Sequence, residues 1–462
     1  MRRFIKALFA PVDIASLVWF RIVFGIILLV EALRFITKGW IEAYYVAPAF
    51  LFKYYGFSWV QPWPAWGMHL HFWVLAVAGA GIALGFFYRI CCAVYFLGFT
   101  YVFLLDQTHY LNHHYLVCLL CFLMIWMPAH HALSVDAWLR PGLRTSYVPA
   151  WPTGLLRAQL CIVYFMAGLA KLNGDWLAGE PMRAWLLRRT GYPVLGPYFA
   201  EPWMPYFFSY SGLVFDLLVV PMLIWRRTRL LAFFLAAVFN LTNCYLFKIG
   251  IFPWMALGAT ILLFQPRLPH LFPVLWQPVQ GVAKAPSASA ERQKIIATLA
   301  AVYITLQLLI PFRHWLYPGN VAWTEEGHRF SWRMMLRRKA GALSIHVRNP
   351  ATNESWTVLP HDYLTTRQSS KASTRPDMIL QLCHHVAADL AARGLPGMEV
   401  RALSTVSLNG RPARFMIDPE ANLAAEPRTL APAAWISPFQ NDPIPKFAQP
   451  PKVANPPSEM TE

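Results

Sequence analysis

Charged residues are scarce in this sequence. They make up 14% of the 462 residues, whereas globular proteins usually contain about 25%. Hydrophobic residues make up 57%, above the usual value of roughly 45–50%, and they form long runs between residues 14 and 312. This composition excludes an ordinary soluble fold. The long runs predict a polytopic membrane protein that is followed by a soluble tail.

Acidic residues are the scarcer of the two charge types. The chain has 23 Asp and Glu against 40 Lys and Arg, which gives a net charge of +17. Much of the basic charge lies between the apolar runs, as at Arg226 and Arg227, where membrane proteins carry Lys and Arg. No nucleic-acid partner is therefore expected. No clear cleavage site precedes the first apolar run, so we interpret that run as a retained helix and not as a signal peptide.

Cysteine is also rare, and its placement argues against a disulfide framework. The chain has 7 cysteines, and all except Cys383 fall in apolar runs, where cysteine usually packs as a small hydrophobic residue. Cys118 and Cys121 have the spacing of a redox pair on one helix face. Their apolar surroundings disfavour the reactive thiolate, so we do not expect redox chemistry there.

A metal site is not expected either. His109, His113 and His114 resemble a histidine box of membrane di-iron oxygenases. Iron would need several such clusters that converge from one side of the membrane, and the pair His130-His131 is predicted to lie at the opposite side. A single box cannot assemble that site, so we predict no metal.

The apolar runs predict a mainly α transmembrane domain over residues 1–318. Judged by the roughly 20 residues that a helix needs to cross a bilayer, the runs form about nine helices. Segment 40–66 is rich in Trp and Tyr and is predicted to lie at the membrane surface. The predicted helices are 14–36, 72–88, 90–105, 114–128, 155–172, 204–225, 230–247, 250–265 and 294–312.

The tail has the pattern of a small α+β domain over residues 319–440. Two of its strands are predicted to pair across the turn Asn409-Gly410. Segment 266–293 is predicted to be a flexible inner loop, and the proline-rich residues 441–462 to be disordered. The predicted elements are strands at 341–349, 355–359, 398–408 and 411–417 and a helix at 377–393.

Lys and Arg in the loops predict the orientation in the membrane. With Arg2, Arg3 and Lys6 inside, most basic loop residues fall on the inner side, and the tail is extracytoplasmic. Polar residues at helix ends then collect on the outer side and predict a shared cavity that opens outward. These residues are Asp106, Asn112, His113, His114, Lys171, Asn173, Asp175, Asn240, Asn243, Lys248, Arg313 and His314.

Lys171 closes the apolar run 155–172, where a buried charge is costly. One explanation is that its amine snorkels from the helix end to the lipid headgroups. The other is that a desolvated amine loses its proton readily and acts as a base. Position alone favours snorkelling, whereas the other polar helix ends on the same side favour a function.

Distinctive short segments occur in order along nearly the whole chain, at 11–17, 84–85, 88–91, 101–106, 112–116, 134–136, 159–165, 167–168, 171–172, 175–176, 246–247, 249–250, 311–312 with 314, 331–335, 418–419 and 435–440. One of them, Ser331-Trp332-Arg333-Met334-Met335, follows the last predicted membrane helix. Together these segments resemble the motifs of one family, the vitamin K-dependent gamma-glutamyl carboxylases and their bacterial relatives.

The resemblance implies an integral-membrane enzyme that uses vitamin K hydroquinone or menaquinol as a co-substrate, without a metal. In the family, a lysine deprotonates the hydroquinone, and its reaction with dioxygen yields the quinone epoxide and a strong base. That base removes a γ-proton from a glutamyl side chain, and carbon dioxide is captured to give γ-carboxyglutamate. The implied activity is that of a carbon–carbon lyase-type peptidyl-glutamate 4-carboxylase. The implied partners are a glutamate-containing peptide or protein, membrane lipids, the quinone, O2 and CO2.

The resemblance also implies roles for individual residues. Lys171 matches the lysine that deprotonates the quinol, and His113 matches a histidine tied to carboxylation. Contact with the quinone is implied for Asn112, Asn243, Met334 and Met335. Contact with the glutamyl substrate is implied for Ser331, Trp332 and His314.

The chain departs from the family pattern in three places. No cysteine precedes Cys91, so the disulfide that animal members form with the cysteine matched by Cys383 cannot form. The family histidine in the seventh helix is Asn240, and animal enzymes continue with a long luminal region after the segment matched by 435–440. Two alternatives therefore stay open: a quinol oxygenase or epoxidase without carboxylation, and a non-enzymatic membrane protein that binds a lipid or peptide. We expect the protein in a bacterial inner membrane.

Overall fold

The computed structural model describes residues 2–247, 249–263 and 289–444. Within these residues, 7 helices are long and apolar enough to cross a membrane, and two shorter apolar helices lie at Asn112–Trp126 and Phe252–Leu263. A small sheet domain follows them. The predicted helical bundle with a C-terminal α+β domain is thus confirmed. The long helices are Ala15–Thr37, Ala65–Leu84, Tyr88–Leu105, Ala150–Lys171, Met204–Ile224, Arg229–Phe247 and Ala290–Leu316.

The helices of the described residues are numbered in chain order. In the bundle they are α1 (Arg2–Leu8), α2 (Ala15–Thr37), α3 (Ala65–Leu84), α4 (Tyr88–Leu105), α5 (Asn112–Trp126), α6 (Val135–Leu139), α7 (Ala150–Lys171), α8 (Gly174–Leu177), α9 (Met182–Leu186), α10 (Met204–Ile224), α11 (Arg229–Phe247), α12 (Phe252–Thr260) and α13 (Ala290–Leu309). The C-terminal region contributes α14 (Val321–Thr324), α15 (Thr366–Ala372) and α16 (Pro376–Ala392).

Helix α2 lies near the centre of the bundle, against α3 and α12. Its crossing with α3 is close because glycine removes the side chain from both helices at the contact. A Cβ atom added to Gly25 would lie 2.4 Å from the backbone nitrogen of Ala83, and one added to Gly79 would lie 2.8 Å from that of Leu29. Small residues permit such close approach of membrane helices, where packing and not water exclusion drives association.

A four-stranded antiparallel sheet in the order β4-β3-β5-β6 forms the C-terminal domain. Its long central pair runs in register from Lys339 opposite Leu408 to Arg348 opposite Glu399. Helix α16 packs its apolar face on the sheet. The strands are β3 (Lys339–Arg348), β4 (Ser355–Val358), β5 (Glu399–Leu408) and β6 (Arg414–Phe415); a separate pair, β1 (Pro11–Asp13) and β2 (Tyr147–Pro149), joins the starts of α2 and α7.

The hairpin predicted at Asn409-Gly410 is confirmed. Both residues have positive φ angles, 54° and 87°, as a tight two-residue turn between twisted strands requires. The second strand is shorter than predicted, since only Arg414 and Phe415 pair with β5. Asn409 of this turn is buried and donates a hydrogen bond to Asp175 of α8, a placement that matters for the site.

Three helix starts differ from the prediction by four residues or more. Helix α3 begins at Ala65 and not at residue 72, so Trp66 of the predicted surface segment lies in its first turn. Helix α7 begins at Ala150 and not at residue 155. Helix α13 begins at Ala290, within the predicted loop 266–293, because the Ser289 side chain accepts a hydrogen bond from the Arg292 amide and caps the helix. The described residues do not include 264–288, which contain most of that loop. They also do not include Lys248 or residues 445–462 of the predicted tail.

Candidate functional site

A cavity of about 900 Å³ lies between the membrane helices and the start of the C-terminal domain. This volume is in the range of sites that enclose a whole small molecule. Residues of α2, α5, α7, α10 and α11 form one side, which we call the helical wall. The other side, the cationic wall, consists of Glu325, His328, Arg329, Arg333, Met334, Met335, Arg337, Arg367, Lys371 and Arg375.

Lys171 lies in the helical wall as the last residue of α7. It is only 6% exposed, and its Nζ atom donates a hydrogen bond to Oδ2 of Asp216 in α10. The ring of Trp176 lies 5.3 Å from the same nitrogen, within the range of a cation–π contact. The amine therefore points into the protein and has a buried counter-ion, so snorkelling does not explain its position.

Asp216 was not anticipated from the sequence. It lies in the middle of α10, and it is 6% exposed. A signal was available, because a carboxylate within an apolar run of membrane length usually has a function or a partner. Its partner is 45 residues away in the chain, which is why the pair was not recognised.

A second charged group lies in the same wall near α5. Glu31 is 3% exposed and accepts hydrogen bonds from Arg34 Nη1 at 2.7 Å and from His114 Nε2 at 3.2 Å. The ring of His113 lies 4.7 Å from that of His114. Among the described residues, no group of three or more His, Cys, Asp or Glu is placed to hold a metal ion. His114 thus binds the Glu31 carboxylate, His113 packs edge-on against His114, and both rings line the cavity.

The cavity brings together six of the nine residues to which the resemblance gives roles. These are Asn112, His113, Lys171, Asn243, Met334 and Met335, all of which line it. Their proposed roles stay predictions. Of the other polar residues predicted to share the cavity, His114 and Asn240 also line it, whereas Asn173 and Arg313 do not line its described part.

The other three lie outside the described lining. Trp332 is buried and stacks on Tyr115 at 5.0 Å, the Ser331 hydroxyl donates to the Gly327 carbonyl oxygen, and His314 Nδ1 lies 2.8 Å from the Pro311 carbonyl oxygen. The contacts of Ser331 and Trp332 hold the segment that precedes Met334 and Met335.

The cationic wall contains many more cations than carboxylates. Arg337 Nε donates to Glu325 Oε1 at 2.7 Å, and Lys339 Nζ behind it lies 3.1 Å from the same oxygen. Burial acts to raise the pKa of Glu325, but Arg337 and Lys339 outweigh it and hold that pKa well below its usual range. Burial also lowers the pKa of Lys339 to about 8, although Glu325 opposes the shift.

Two arginines of this wall, Arg333 and Arg367, each have a buried Nε atom without a hydrogen-bond partner among the described residues. Arg333 is the one that directly precedes Met334 and Met335 in the chain. Burial, aided by repulsion from Arg337, lowers its pKa to about 10, so the guanidinium still carries its charge at neutral pH. A buried donor without an acceptor is costly, and in a cavity it is suited to receive an anionic ligand.

Two family models match the chain, and their boundary falls between the two walls. Residues 9–267, more than half of the chain, match the HTTM domain. Residues 292–442 match the lumenal domain of the vitamin K-dependent gamma-carboxylase. The chain belongs to the vitamin K-dependent gamma-glutamyl carboxylase family. No solved structure matches it. Like the HTTM domain of this family, its helical part is that of a multi-pass membrane protein.

In this carboxylase-family chain, direct contacts hold the lumenal-type domain against the helices. Asp175 in α8 accepts from Arg411 at 2.6 and 2.8 Å and from Asn409 Nδ2 at 2.7 Å. Asp106, at the end of α4, accepts from Gln368 of α15 at 3.2 Å. Asp106 and Asp175, expected in the cavity, thus fix the domain in place, and neither lines the described cavity.

Proposed function

We propose that the protein is a quinol-dependent gamma-glutamyl carboxylase. The observation that carries the proposal is the pairing of the two walls in one cavity. One wall offers a buried lysine among apolar side chains, and the other offers arginines with little compensating negative charge. A reaction that couples an apolar quinol to an anionic glutamyl side chain needs both surfaces within reach of each other.

The helical wall is suited to a lipid-soluble quinol. Residues of α10 and α11 that line the cavity are also exposed on the outside of the bundle, so the cavity reaches the lipid-facing surface between these helices. An isoprenoid tail fits such an apolar opening. When bound, vitamin K hydroquinone or menaquinol supplies, on oxidation to its epoxide by O2, the strong base that removes the γ-proton. The residues at the opening are Val214, Leu218, Leu235 and Val238.

Lys171 acts in this proposal as the base that takes a proton from the quinol hydroxyl group. Its burial beside Trp176 keeps water away from the amine and from the reacting carbon, where a returning proton would undo the reaction. His113 is assigned to the carboxylation step, as in the family, and Asn112, Asn243, Met334 and Met335 to the quinol. No step is assigned to a metal.

The cationic wall binds the glutamyl carboxylate. Arginine forms strong, bidentate hydrogen bonds with carboxylates, and Arg333 has a buried donor that no described residue uses. Carboxylation adds a second negative charge at the γ-carbon, so the wall attracts the product more strongly than the substrate. The described cavity is not lined by Ser331, Trp332 or His314, for which the resemblance implied contact with the substrate.

The proposal includes an orientation. The α+β domain lies outside the cytoplasm, and the membrane is the inner membrane of a bacterium, in keeping with the positive loops on the opposite side. The domain limits are proposed as 1–318 and 319–440, with a tail at 441–462.

Incorporation of labelled bicarbonate tests the function directly. Purified protein is incubated with reduced vitamin K, O2, labelled bicarbonate and a glutamyl peptide. The label incorporated into the peptide and the quinone epoxide formed are both measured. We expect both products from the unaltered protein and neither from Lys171→Ala. Lys294→Ala, which removes an exposed lysine of α13, is the matched control and keeps both activities.

The pattern of products separates the alternatives. Epoxide without label would replace the proposal with a quinol epoxidase. Neither product from a protein that binds quinol would leave a non-enzymatic binding protein.

A further inference from the structure

The buried lysine and the buried aspartate face each other from different helices. Lys171 ends α7, Asp216 lies in the middle of α10, and both line the cavity. In the part of the chain that the structure describes, the Asp216 carboxylate accepts a hydrogen bond from Lys171, and this is its one cationic partner. That partner is the proposed base.

We propose that Asp216 is the proton partner of Lys171, so that the two side chains work as one base. The inference rests on the proposed function. If Lys171 is a charged ammonium, it cannot accept a proton. If Lys171 is neutral while Asp216 stays ionised, the carboxylate is an uncompensated negative charge in hydrocarbon. Transfer of one proton along the Nζ–Oδ2 hydrogen bond avoids both problems, because it gives a neutral amine beside a neutral carboxylic acid.

The proton balance of the step is simple. At rest the pair holds one exchangeable proton, shared between Lys171 Nζ and Asp216 Oδ2. With that proton on Asp216, the amine lone pair accepts the quinol proton: the quinol O–H bond breaks, an N–H bond forms, and the electron pair stays on the quinol oxygen. Lys171 then carries one positive charge, Asp216 stays neutral, and the compensating negative charge is on the quinol oxygen. No oxidation or reduction occurs in this step, and the cavity stays neutral throughout.

A purely structural role is the competing explanation. Buried ion pairs between helices hold them together, and removal of one partner is destabilising wherever the pair lies. The two explanations differ in what happens to the acid limb of the pH–rate profile when the carboxylate is removed.

The decisive variant is Asp216→Asn, which keeps the shape and the hydrogen bond but cannot hold a proton. If the pair shares its proton, the unaltered protein is inactivated only when a second proton binds the carboxylate. In Asp216→Asn a single proton on the amine is enough to inactivate. Amines bind protons more tightly, so the acid limb of epoxide formation moves to higher pH. If Asp216 is only a counter-ion that favours the charged amine, its removal favours the neutral amine and the limb moves to lower pH.

Two further variants complete the series. Asp216→Glu keeps the carboxylate, so we expect a slower reaction whose acid limb stays where it is in the unaltered protein. Glu354→Gln, at an exposed position of the C-terminal domain, is the control and leaves the rate and profile unchanged. At neutral pH we expect Asp216→Asn to lower the rate about a hundredfold, the lower end of the range for loss of acid–base assistance.

Infrared difference spectroscopy gives a readout that does not depend on turnover. Binding of reduced vitamin K without O2 is expected to produce the carbonyl stretch of a protonated carboxylic acid. The band is expected to shift in Asp216→Glu and to be absent in Asp216→Asn. If Asp216→Asn fails to fold, the unaltered protein and Asp216→Glu still decide the matter.

The outcomes separate the inference from the function. No band on quinol binding, or an acid limb that moves to lower pH or stays in place in Asp216→Asn, overturns the inference even when the unaltered protein forms epoxide and labelled peptide. Absence of both products from the unaltered protein overturns the proposed function instead, and the infrared band still reports on the pair because it needs only bound quinol.

Discussion

The two walls of the cavity handle charge in opposite ways. In the helical wall each described cation has a carboxylate beside it: Lys171 with Asp216, and Arg34 with Glu31. In the cationic wall Glu325 faces several guanidinium groups, and the Arg333 Nε atom has no acceptor among the described residues. The helical wall is therefore close to neutral, and the cationic wall is strongly positive.

The different surroundings of the two walls explain this difference in net charge. The helical wall is built from membrane segments, where net charge is expensive and each charged group needs a partner. The cationic wall belongs to a domain outside those segments and can keep an excess of positive charge for a ligand to neutralise. A neutral quinol and an anionic peptide thus find separate surfaces in one cavity, and variants in either wall are expected to affect different substrates.

The largest effect is expected from Lys171→Arg. Arginine keeps the charge and the contact with Asp216, but it does not lose its proton in proteins and so cannot act as a base. Epoxide formation is expected to fall by at least about a thousandfold, within the range for loss of acid–base catalysis. The measurement is epoxide formation by chromatography, with the thermal midpoint as a test of folding.

A folded Lys171→Arg protein with substantial activity would contradict the assignment of the base. Lys294→Arg, at the exposed position used above, is the control and is expected to behave like the unaltered protein.

A smaller but still large effect is expected from Glu325→Gln, which removes the counter-ion of the cationic wall. Arg337 and Lys339 would then be buried without a carboxylate, at a cost of about 3–5 kcal/mol of folding free energy. Hydrogen exchange of the β3 and β5 amides in the full chain measures this loss. Glu399→Gln, whose partners Arg348 and Arg401 are solvent-exposed in part, is the control and is expected to cost about 1 kcal/mol or less.

The same residue predicts a pH dependence. Because the pKa of Glu325 is held well below its usual range in the folded protein, its contribution to stability is present above the unfolded value of about 4.3. The contribution is lost as the pH falls below that value toward the folded pKa. Exchange protection of β3 and β5 is therefore expected to drop in acid, and Glu325→Gln should remove part of this drop. Equal acid sensitivity in both proteins would contradict the prediction.

The fold was predictable to the extent that local signals determine it. Apolar runs gave the membrane helices, and Asn409-Gly410 identified the hairpin because its φ angles favour those residue types. Pairings between distant residues were not predictable. Lys171 and Asp216 are 45 residues apart, and Asp175 and Arg411 are 236 apart, so no periodicity or motif connects them.

In the candidate site, too, local signals were predictable and contacts between distant residues were not. The sequence placed Lys171, His113 and Asn112 near one end of the bundle, and they line one cavity. It also grouped Asp106 and Asp175 with them, whereas these carboxylates hold the C-terminal domain in place. Polarity at a helix end cannot distinguish a residue that faces a cavity from one that binds a neighbouring domain, because that depends on where the neighbour lies.

The smallest effect that still separates the walls is expected from Arg333→Gln. Loss of a charge-assisted hydrogen bond costs about 1.5–3 kcal/mol, so kcat/KM for the glutamyl peptide is expected to fall about tenfold to a hundredfold. The KM for the quinol is expected to change little, because Arg333 lies in the cationic wall and the quinol is assigned to the helical wall. Arg348→Gln, at the end of β3, is the control and should change neither constant.

Ionic strength extends the test of Arg333 without further mutation. Added salt screens the attraction between an acidic peptide and the cationic wall, so kcat/KM for the peptide is expected to fall as salt rises, and less steeply in Arg333→Gln. A neutral quinol has no such attraction, and its KM should stay constant. Equal changes in both constants, in either experiment, would mean that the substrates do not divide between the walls. The positive charge would then stabilise the docked domain or the transition state and not select the peptide.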